Sequence, residues 1–107
     1  MNCRLEMTFD AANDLRNFAD YIYEQTGDID LALAFVEVLK KKCKILEEFP
    51  EIGKVPHELD ETDSNMRYLV HKSYIILYRY LKDKSVVQIL AFFNAKRDCT
   101  GIIKQFL

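Results

Sequence analysis

The 107-residue chain is poor in the residues that interrupt regular structure or cross-link small domains. It has three glycines, two prolines and no tryptophan, which leaves little room for a linker or a disordered arm. Its three cysteines, Cys3, Cys43 and Cys99, lie far apart and form no Cys-x-x-Cys pair, which argues against a disulfide framework or a zinc site. We therefore expect small core or surface cysteines in a single domain that spans residues 1–107.

Long hydrophobic runs are also missing. No apolar stretch approaches the roughly 18 to 20 residues that cross a membrane. The first ten residues lack the basic and then apolar layout of a signal peptide. Half of the residues are hydrophobic and 30% are charged, which is typical of a compact domain. We expect a cytoplasmic protein without a membrane partner.

The motifs of most familiar enzyme classes are absent too. The chain has no serine in a Gly-x-Ser-x-Gly context, no glycine-rich phosphate loop and no pair of carboxylates on one face of a predicted strand. Its two histidines, His57 and His71, have no cysteine or carboxylate at metal-ligand spacing. The sequence therefore predicts no metal and no cofactor.

Charge is distributed unevenly along the chain. Residues 1–66 carry seven basic and fifteen acidic residues, a net charge of −8, whereas residues 67–107 carry eight and two, a net charge of +6. Such a split indicates that the C-terminal part faces an anionic partner, either a nucleic acid or an acidic protein. The alternative is that the two oppositely charged parts only pair with each other and with solvent.

Apolar residues at three-four spacing predict two helices, over residues 9–26 and 30–49. Only a few residues separate them, so they should fold back on each other as a helical hairpin. Phe35 and Leu39 are expected to be buried against the sheet that the rest of the chain forms. The candidate N-caps are Thr8, Asp10, Asp28 and Asp30. Gly27 is expected to end the first helix.

Strand signals dominate the rest of the chain. Residues 67–94 are rich in β-branched and aromatic residues with two polar breaks, which predicts a three-stranded antiparallel meander. Residues 2–7 predict a short first strand, and residues 99–107 allow a closing turn or short helix. Two-residue alternation along the last strand assigns alternate residues to a core face and to a partly open face. The core set is Val87, Ile89, Ala91 and Phe93, and the open set is Gln88, Leu90, Phe92 and Asn94.

The order β-α-α-β-β-β predicts an α+β domain with two layers. In it, the helical hairpin packs on one face of an antiparallel sheet and leaves the opposite face open. Guanidinium groups bind phosphates, and tyrosines contact nucleic-acid bases or protein partners. A cluster of these residues on the sheet therefore suggests a binding surface. Each of them alone is more often a solvated strand residue. The predicted target- or partner-binding residues are Arg67, His71, Tyr74, Tyr78, Arg79, Phe92, Asn94, Lys96 and Arg97.

Several segments, in this order, resemble the RelE/ParE superfamily of type II toxin-antitoxin toxins, which includes plasmid stabilisation proteins. They are Leu-Glu-Glu-Phe-Pro-Glu-Ile-Gly over residues 46–53, Arg67, Tyr-Ile-Ile-Leu-Tyr over residues 74–78 and Asn-Ala-Lys-Arg-Asp over residues 94–98. The resemblance covers nearly the whole chain. It implies a bacterial growth inhibitor. A cognate antitoxin would neutralise this toxin by wrapping around it, and the two proteins would form a hetero-oligomer. A homodimer of the toxin is the other assembly that we expect.

The superfamily holds two unlike activities. RelE-like members, the mRNA interferases, cleave messenger RNA on the ribosome, whereas ParE-like members bind DNA gyrase and poison it. By position, the residues of a nuclease would be Lys54, Arg67 and Arg97. The chain departs from the nuclease pattern because the loop over residues 57–66 is acidic and no tyrosine or histidine follows Arg97. It also departs from the ParE pattern, which commonly has histidine where Asn94 stands.

Cleavage through a ribose hydroxyl needs a base, an acid and cations on the phosphate, and the sequence clearly supplies only cations. We therefore favour a ParE-like, non-hydrolytic gyrase poison. A RelE-like endoribonuclease is the alternative, and an inactive remnant that only binds its antitoxin is a third reading.

Overall fold

The computed structural model of the chain describes residues 2–56, 65–96 and 99–106. The predicted order β-α-α-β-β-β is confirmed, and a short third helix follows it. Most of the predicted acidic loop, residues 57–64, and Arg97 lie outside the described residues. The elements are β1 (Arg4–Met7), α1 (Phe9–Thr26), α2 (Ile29–Glu48), β2 (Met66–His71), β3 (Tyr74–Leu81), a 3-10 turn (Lys82–Lys84), β4 (Val86–Asn94) and α3 (Cys99–Lys104).

The ends of the two long helices follow local side-chain chemistry. The Thr8 hydroxyl accepts the N–H of Ala11 at 3.1 Å, and the Asp28 carboxylate accepts the N–H of Leu31 at 3.1 Å. Each oxygen satisfies a donor that the first helical turn leaves unpaired. Gly27 ends α1 in the left-handed region at φ 67°, so these predicted caps and the predicted stop are confirmed. No helix in the described part of the chain is long and apolar enough to cross a membrane.

The four strands form one sheet in the order β1-β4-β3-β2. β2, β3 and β4 are antiparallel as predicted, but β1 pairs parallel with β4, so the sheet is mixed and not wholly antiparallel. The parallel pair arises because the hairpin carries the chain across the sheet from β1 at one edge to β2 at the other. Beyond β2, Lys54 adds one antiparallel bridge to Tyr68 through two backbone hydrogen bonds of 2.9 and 2.8 Å.

The main core lies between the hairpin and the sheet. Leu39 is fully buried, and Phe35 is partly buried, with edge-on ring contacts to Phe18 at 6.1 Å and to Tyr74 at 5.0 Å. The predicted register of α2 is therefore confirmed. The residues buried in this core are Cys3, Ala11, Leu15, Leu39, Cys43, Leu46, Ile76, Tyr78, Val87, Ile89 and Phe92.

A bulge interrupts β4 in its middle. Tyr78 pairs with Ile89, whereas the preceding Leu77 pairs with Ala91, so Leu90 is an extra residue on β4. An extra residue moves every later side chain of the strand to the opposite face.

The bulge overturns part of the prediction for β4. Ala91 and Phe93 were predicted to face the hairpin, but both lie in the cluster on the other face. Phe92 was predicted on the open face and is instead buried in the hairpin core at 2% exposure. The prediction for these three residues was wrong because strict alternation does not include a bulge.

The sheet face opposite the hairpin is covered, not open as the sequence suggested. Ile103 is buried there, with Ile102 and Phe106 packed beside it. These side chains come from the C-terminal segment, which folds back over the sheet. They cover Met66, Leu77, Leu90, Ala91 and Phe93.

Candidate functional site

Arg67 lies at the edge of the sheet, on β2. Its Nη1 atom donates to the backbone carbonyls of Glu51 at 3.1 Å and Gly53 at 2.9 Å. Both carbonyls belong to the turn that follows α2. The guanidinium group therefore ties this turn to the sheet.

Tyr78 completes the same contact from the next strand. Its hydroxyl accepts the N–H of Gly53 at 2.9 Å and donates to the carbonyl of Pro50 at 2.8 Å. Burial raises the pKa of the phenol above 10.0, while the hydrogen bond from Gly53 and the positive charge of Arg67 lower it in part. The phenol therefore stays protonated at neutral pH and holds the backbone of the turn.

Gly53 is required by the close approach of the turn to the sheet. A Cβ atom at this position would lie 2.5 Å from the hydroxyl of Tyr78 and 2.8 Å from the carbonyl oxygen of Tyr68. We call the contact of the turn 50–53 with Arg67 and Tyr78 the clasp. Sequence reasoning identified the turn and the arginine but missed their contact, because its acceptors are backbone carbonyls that leave no signal in residue identity.

The prediction placed Tyr78 on a binding surface, and this placement is wrong. The side chain is fully buried, because the even-numbered residues of β3 face the hairpin. Tyr74 lies on the same face and is partly buried, with edge-on contacts to Phe18 at 5.2 Å and to Phe35 at 5.0 Å. The predicted aromatic binding residues of the sheet, including Phe92, are thus packed into the hairpin core.

Two other predicted residues, His71 and Asn94, lie at one end of the sheet, on either side of Tyr74. His71, Tyr74 and Asn94 are direct neighbours across β2, β3 and β4. With strands about 4.8 Å apart, the backbones of His71 and Asn94 are about 10 Å apart. The Asn94 Oδ1 atom accepts the N–H of Lys96 at 2.9 Å, and the Lys96 side chain is exposed. We call His71, Asn94 and Lys96 the strand-end surface. Arg97 follows it directly in sequence.

Arg79 is separated from this surface. It is the register partner of Met66 on β2, and its Nη2 atom lies 3.8 Å from the Met66 sulfur and donates to the carbonyl of Phe106 at 2.9 Å. Phe106 belongs to the segment that covers the face opposite the hairpin. Arg79 also lies five residues along β3 from Tyr74, or about 17 Å at the usual rise of a strand. It therefore anchors the C-terminal segment, away from the strand-end surface.

The backbones of Lys54 and Arg67 lie close together at the edge of the sheet, but their side chains lie on different faces of the sheet. Lys54 is paired with Tyr68, and cross-strand partners share a face of a sheet. Arg67, the neighbour of Tyr68 along β2, lies on the other face. The described members of the predicted nuclease set are therefore not aimed at a common point. No group of three His, Cys, Asp or Glu side chains that could hold a metal is present among the described residues.

Comparisons with known proteins agree with this fold. Residues 5–99 match the sequence model of a protein family, which is described as the ParE toxin of the type II toxin-antitoxin system, parDE. The chromosomal ParDE system from P. aeruginosa is similar in structure, with 24% identity, a TM-score of 0.72 and coverage of 88% of this chain and 97% of that chain. No curated protein matches the sequence.

Two further solved structures are similar. A double arginine-to-alanine mutant of E. coli toxin RelE in the free state has 21% identity and a TM-score of 0.63, with 100% of both chains covered. The RelBE2 toxin-antitoxin complex from Mycobacterium tuberculosis has 19% identity and a TM-score of 0.58, with 88% of this chain and 99% of that chain covered. At these identities the likeness shows a shared fold.

Proposed function

Because the chain belongs to the ParE toxin family of type II toxin-antitoxin systems, we propose that it inhibits growth by binding DNA gyrase and poisoning it, without hydrolysing nucleic acid. The observation that carries this choice over messenger RNA cleavage is the clasp. Arg67, the residue that would hold the scissile phosphate in a nuclease, instead donates to the carbonyls of Glu51 and Gly53.

The chemistry around Arg67 supports the same choice. Cleavage of RNA through a ribose hydroxyl needs a general base, a general acid and cations preorganised around the phosphate. The phenol next to Arg67 is that of Tyr78, which is buried, protonated and bonded to backbone groups on both sides. Lys54 lies on the opposite face of the sheet from Arg67. Arg67 and Tyr78 therefore act together as a structural contact to the turn after α2.

We propose the strand-end surface as the part that contacts gyrase. His71 and Asn94 are partly exposed there and Lys96 is exposed, and Arg97, the next residue in sequence, carries a further positive charge. Side chains that combine a cation with hydrogen-bonding groups suit an acidic protein surface, and complementary charge speeds the encounter. An interface role requires exposure and charge but no acid-base pair.

We also propose a cognate antitoxin as the physiological partner. The similar structures include toxin-antitoxin systems, among them ParDE from P. aeruginosa and RelBE2 from Mycobacterium tuberculosis. The net charge of +6 on residues 67–107 would attract an acidic, partly disordered antitoxin segment, and salt would weaken the attraction where the charges are exposed.

Expression in bacterial cells tests the activity. We expect growth arrest and a DNA-damage response, while messenger RNA ends mapped at nucleotide resolution show no codon-aligned cuts. Lys96→Glu should relieve the arrest because it reverses a charge on the proposed gyrase contact. Lys84→Glu is the matched control, since Lys84 is also exposed but lies in the turn at the other end of the sheet.

Two outcomes would contradict the proposed activity, and a third would contradict the proposed contact surface. Codon-aligned cuts would assign the chain to the RelE-like ribonucleases. Normal growth at full expression of folded protein would identify an inactive remnant. Equal relief by Lys84→Glu and Lys96→Glu would remove the strand-end surface from the gyrase contact.

A further inference from the structure

The turn between β2 and β3 holds a lysine in a backbone conformation that favours glycine. His71 pairs with Tyr74, which leaves Lys72 and Ser73 as a two-residue loop. Lys72 has a φ of 55°, whereas the φ of Ser73 is not positive. This is the pattern of a type II′ turn, in which glycine is the usual first residue of the loop. Lysine at this position therefore costs conformational free energy that glycine would not cost.

The neighbouring structure imposes this conformation on the loop. The pairing of His71 with Tyr74 closes the loop at its base. The carbonyl oxygen of Ser73 accepts the N–H of Ala95 at 2.6 Å, which fixes the loop to the turn that follows β4. Strained residues persist where their surroundings determine the backbone in this way, and they are concentrated at functional sites. The side chain of Lys72 is therefore a candidate for a functional role.

The Lys72 side chain makes no polar contact within the described part of the chain. It is exposed, and its ammonium group forms no hydrogen bond or ion pair with any residue that the structure describes. The strands β2, β3 and β4 contain no acidic residue that could pair with it. The positive charge is therefore available to a partner protein.

Lys72 lies beside the strand-end surface. It directly follows His71 in the chain, and the hydrogen bond between Ser73 and Ala95 brings its turn next to Lys96. Lys72 and Lys96 are both exposed, so two cations lie on adjacent turns at the same end of the sheet. Together they suit an acidic patch on a protein partner. Sequence reasoning missed Lys72 because a positive φ leaves no signal when the residue is not glycine.

Ser85 has the same kind of backbone conformation at the opposite end of the sheet. Its φ is 52°, and it is exposed. Its N–H donates to the carbonyl of Lys82 at 3.2 Å, and its carbonyl accepts the N–H of Arg4 at 2.8 Å. Both contacts use backbone atoms only, so glycine at this position should preserve them. Ser85 is therefore a natural comparison for Lys72.

We propose that Lys72 acts together with the strand-end surface and contacts an acidic patch on gyrase. The inference rests on the proposed binding of gyrase and adds a residue from the adjacent turn to that contact. The turn presents the ammonium group at the tip of the β2–β3 hairpin, at a cost in stability that glycine would remove. Replacing Lys72 by glycine should therefore change stability and activity in opposite directions.

Two measurements on each purified variant test this proposal: the melting temperature, and the concentration that halves DNA supercoiling by gyrase. Lys72→Gly should melt at the same temperature as the wild type or higher. It should nevertheless need about two- to fivefold more protein for half-inhibition, because one exposed ion pair with gyrase is lost. The loss should shrink at higher salt, which screens exposed charges. Lys72→Arg should inhibit like the wild type, since it keeps the positive charge.

Ser85→Gly is the matched control, because it makes the same backbone change away from the strand-end surface. It should leave the concentration for half-inhibition unchanged. Equal inhibition by Lys72→Gly and the wild type would overturn this inference and leave the proposed function standing. A lower melting temperature of Lys72→Gly, or equal losses in Lys72→Gly and Ser85→Gly, would also overturn it. A wild type that leaves supercoiling unaffected would overturn the proposed function and this inference together.

Discussion

Arg67 shows that a residue can be located correctly from the sequence while its hydrogen-bond partners cannot. Its position at the start of the meander follows from the strand pattern, and its charge made it a candidate for binding phosphate. The structure assigns its Nη1 atom to the carbonyls of Glu51 and Gly53. Backbone carbonyls are identical for all residues, so only the fold reveals that the arginine has these partners.

For the cysteines, in contrast, the sequence was enough to predict their structural role. Cys3 and Cys43 are free and buried, as expected for small core residues. Burial raises the pKa of the Cys43 thiol to about 12. The thiol is therefore neutral and unreactive at physiological pH.

At the residue scale, we predict that Tyr78→Phe destabilises the protein by about 1–3 kcal/mol. The change removes the hydroxyl between the N–H of Gly53 and the carbonyl of Pro50 and leaves both backbone groups without this partner. Urea unfolding measures the loss. Tyr21→Phe is the control, because that tyrosine is 63% exposed and its change should stay within about 0.5 kcal/mol. Equal stability of the two variants would show that the Tyr78 hydroxyl contributes nothing to the stability of the clasp.

At the scale of elements, the turn after α2 connects the hairpin to the edge of the sheet. The Phe-Pro-Glu-Ile-Gly segment ends α2, and its glycine allows the turn to touch Tyr78 and Tyr68. Lys54 then pairs with Tyr68, which partly covers the edge of β2. Covered edges protect a sheet against unwanted strand addition.

We predict that Gly53→Ala loosens this connection. The added Cβ would lie 2.5 Å from the Tyr78 hydroxyl, so the turn must move away, at a cost of about 1–3 kcal/mol. Hydrogen exchange at the amides of Lys54 and Tyr68, which bond each other's carbonyls, should become faster. Gly27→Ala is the control: no atom lies within 4 Å of its Cβ, and only its positive φ is strained. Unchanged protection at Lys54 and Tyr68 in Gly53→Ala would rule out this role for the glycine.

The elements themselves could be predicted because each has a local cause. Helical spacing, the Thr8 and Asp28 caps and Gly27 define the hairpin, and alternation with polar breaks defines the meander. The face of each residue after Leu90 could not be predicted, since a bulge depends on pairing with β3. The C-terminal segment covers the sheet face opposite the hairpin. This could not be predicted, because the residue pattern of that segment does not show which face of the sheet it packs against.

At the scale of the whole molecule, the fold spreads the predicted site over several places. Arg67 is in the clasp, Arg79 anchors the C-terminal segment, and His71, Asn94 and Lys96 form the strand-end surface. A nuclease needs its cations to converge on one phosphate. A protein that acts by binding needs only an exposed, complementary surface, which this arrangement leaves available at one end of the sheet.

DNA supercoiling by purified gyrase, in the presence of the purified chain, tests the proposed activity most directly. If the chain is a ParE-like poison, it should inhibit supercoiling in proportion to its concentration and cause cleaved DNA to accumulate on the enzyme, and Lys96→Glu should require a higher concentration for the same inhibition. Supercoiling that continues at the uninhibited rate with the folded chain in large excess over gyrase would contradict the proposal.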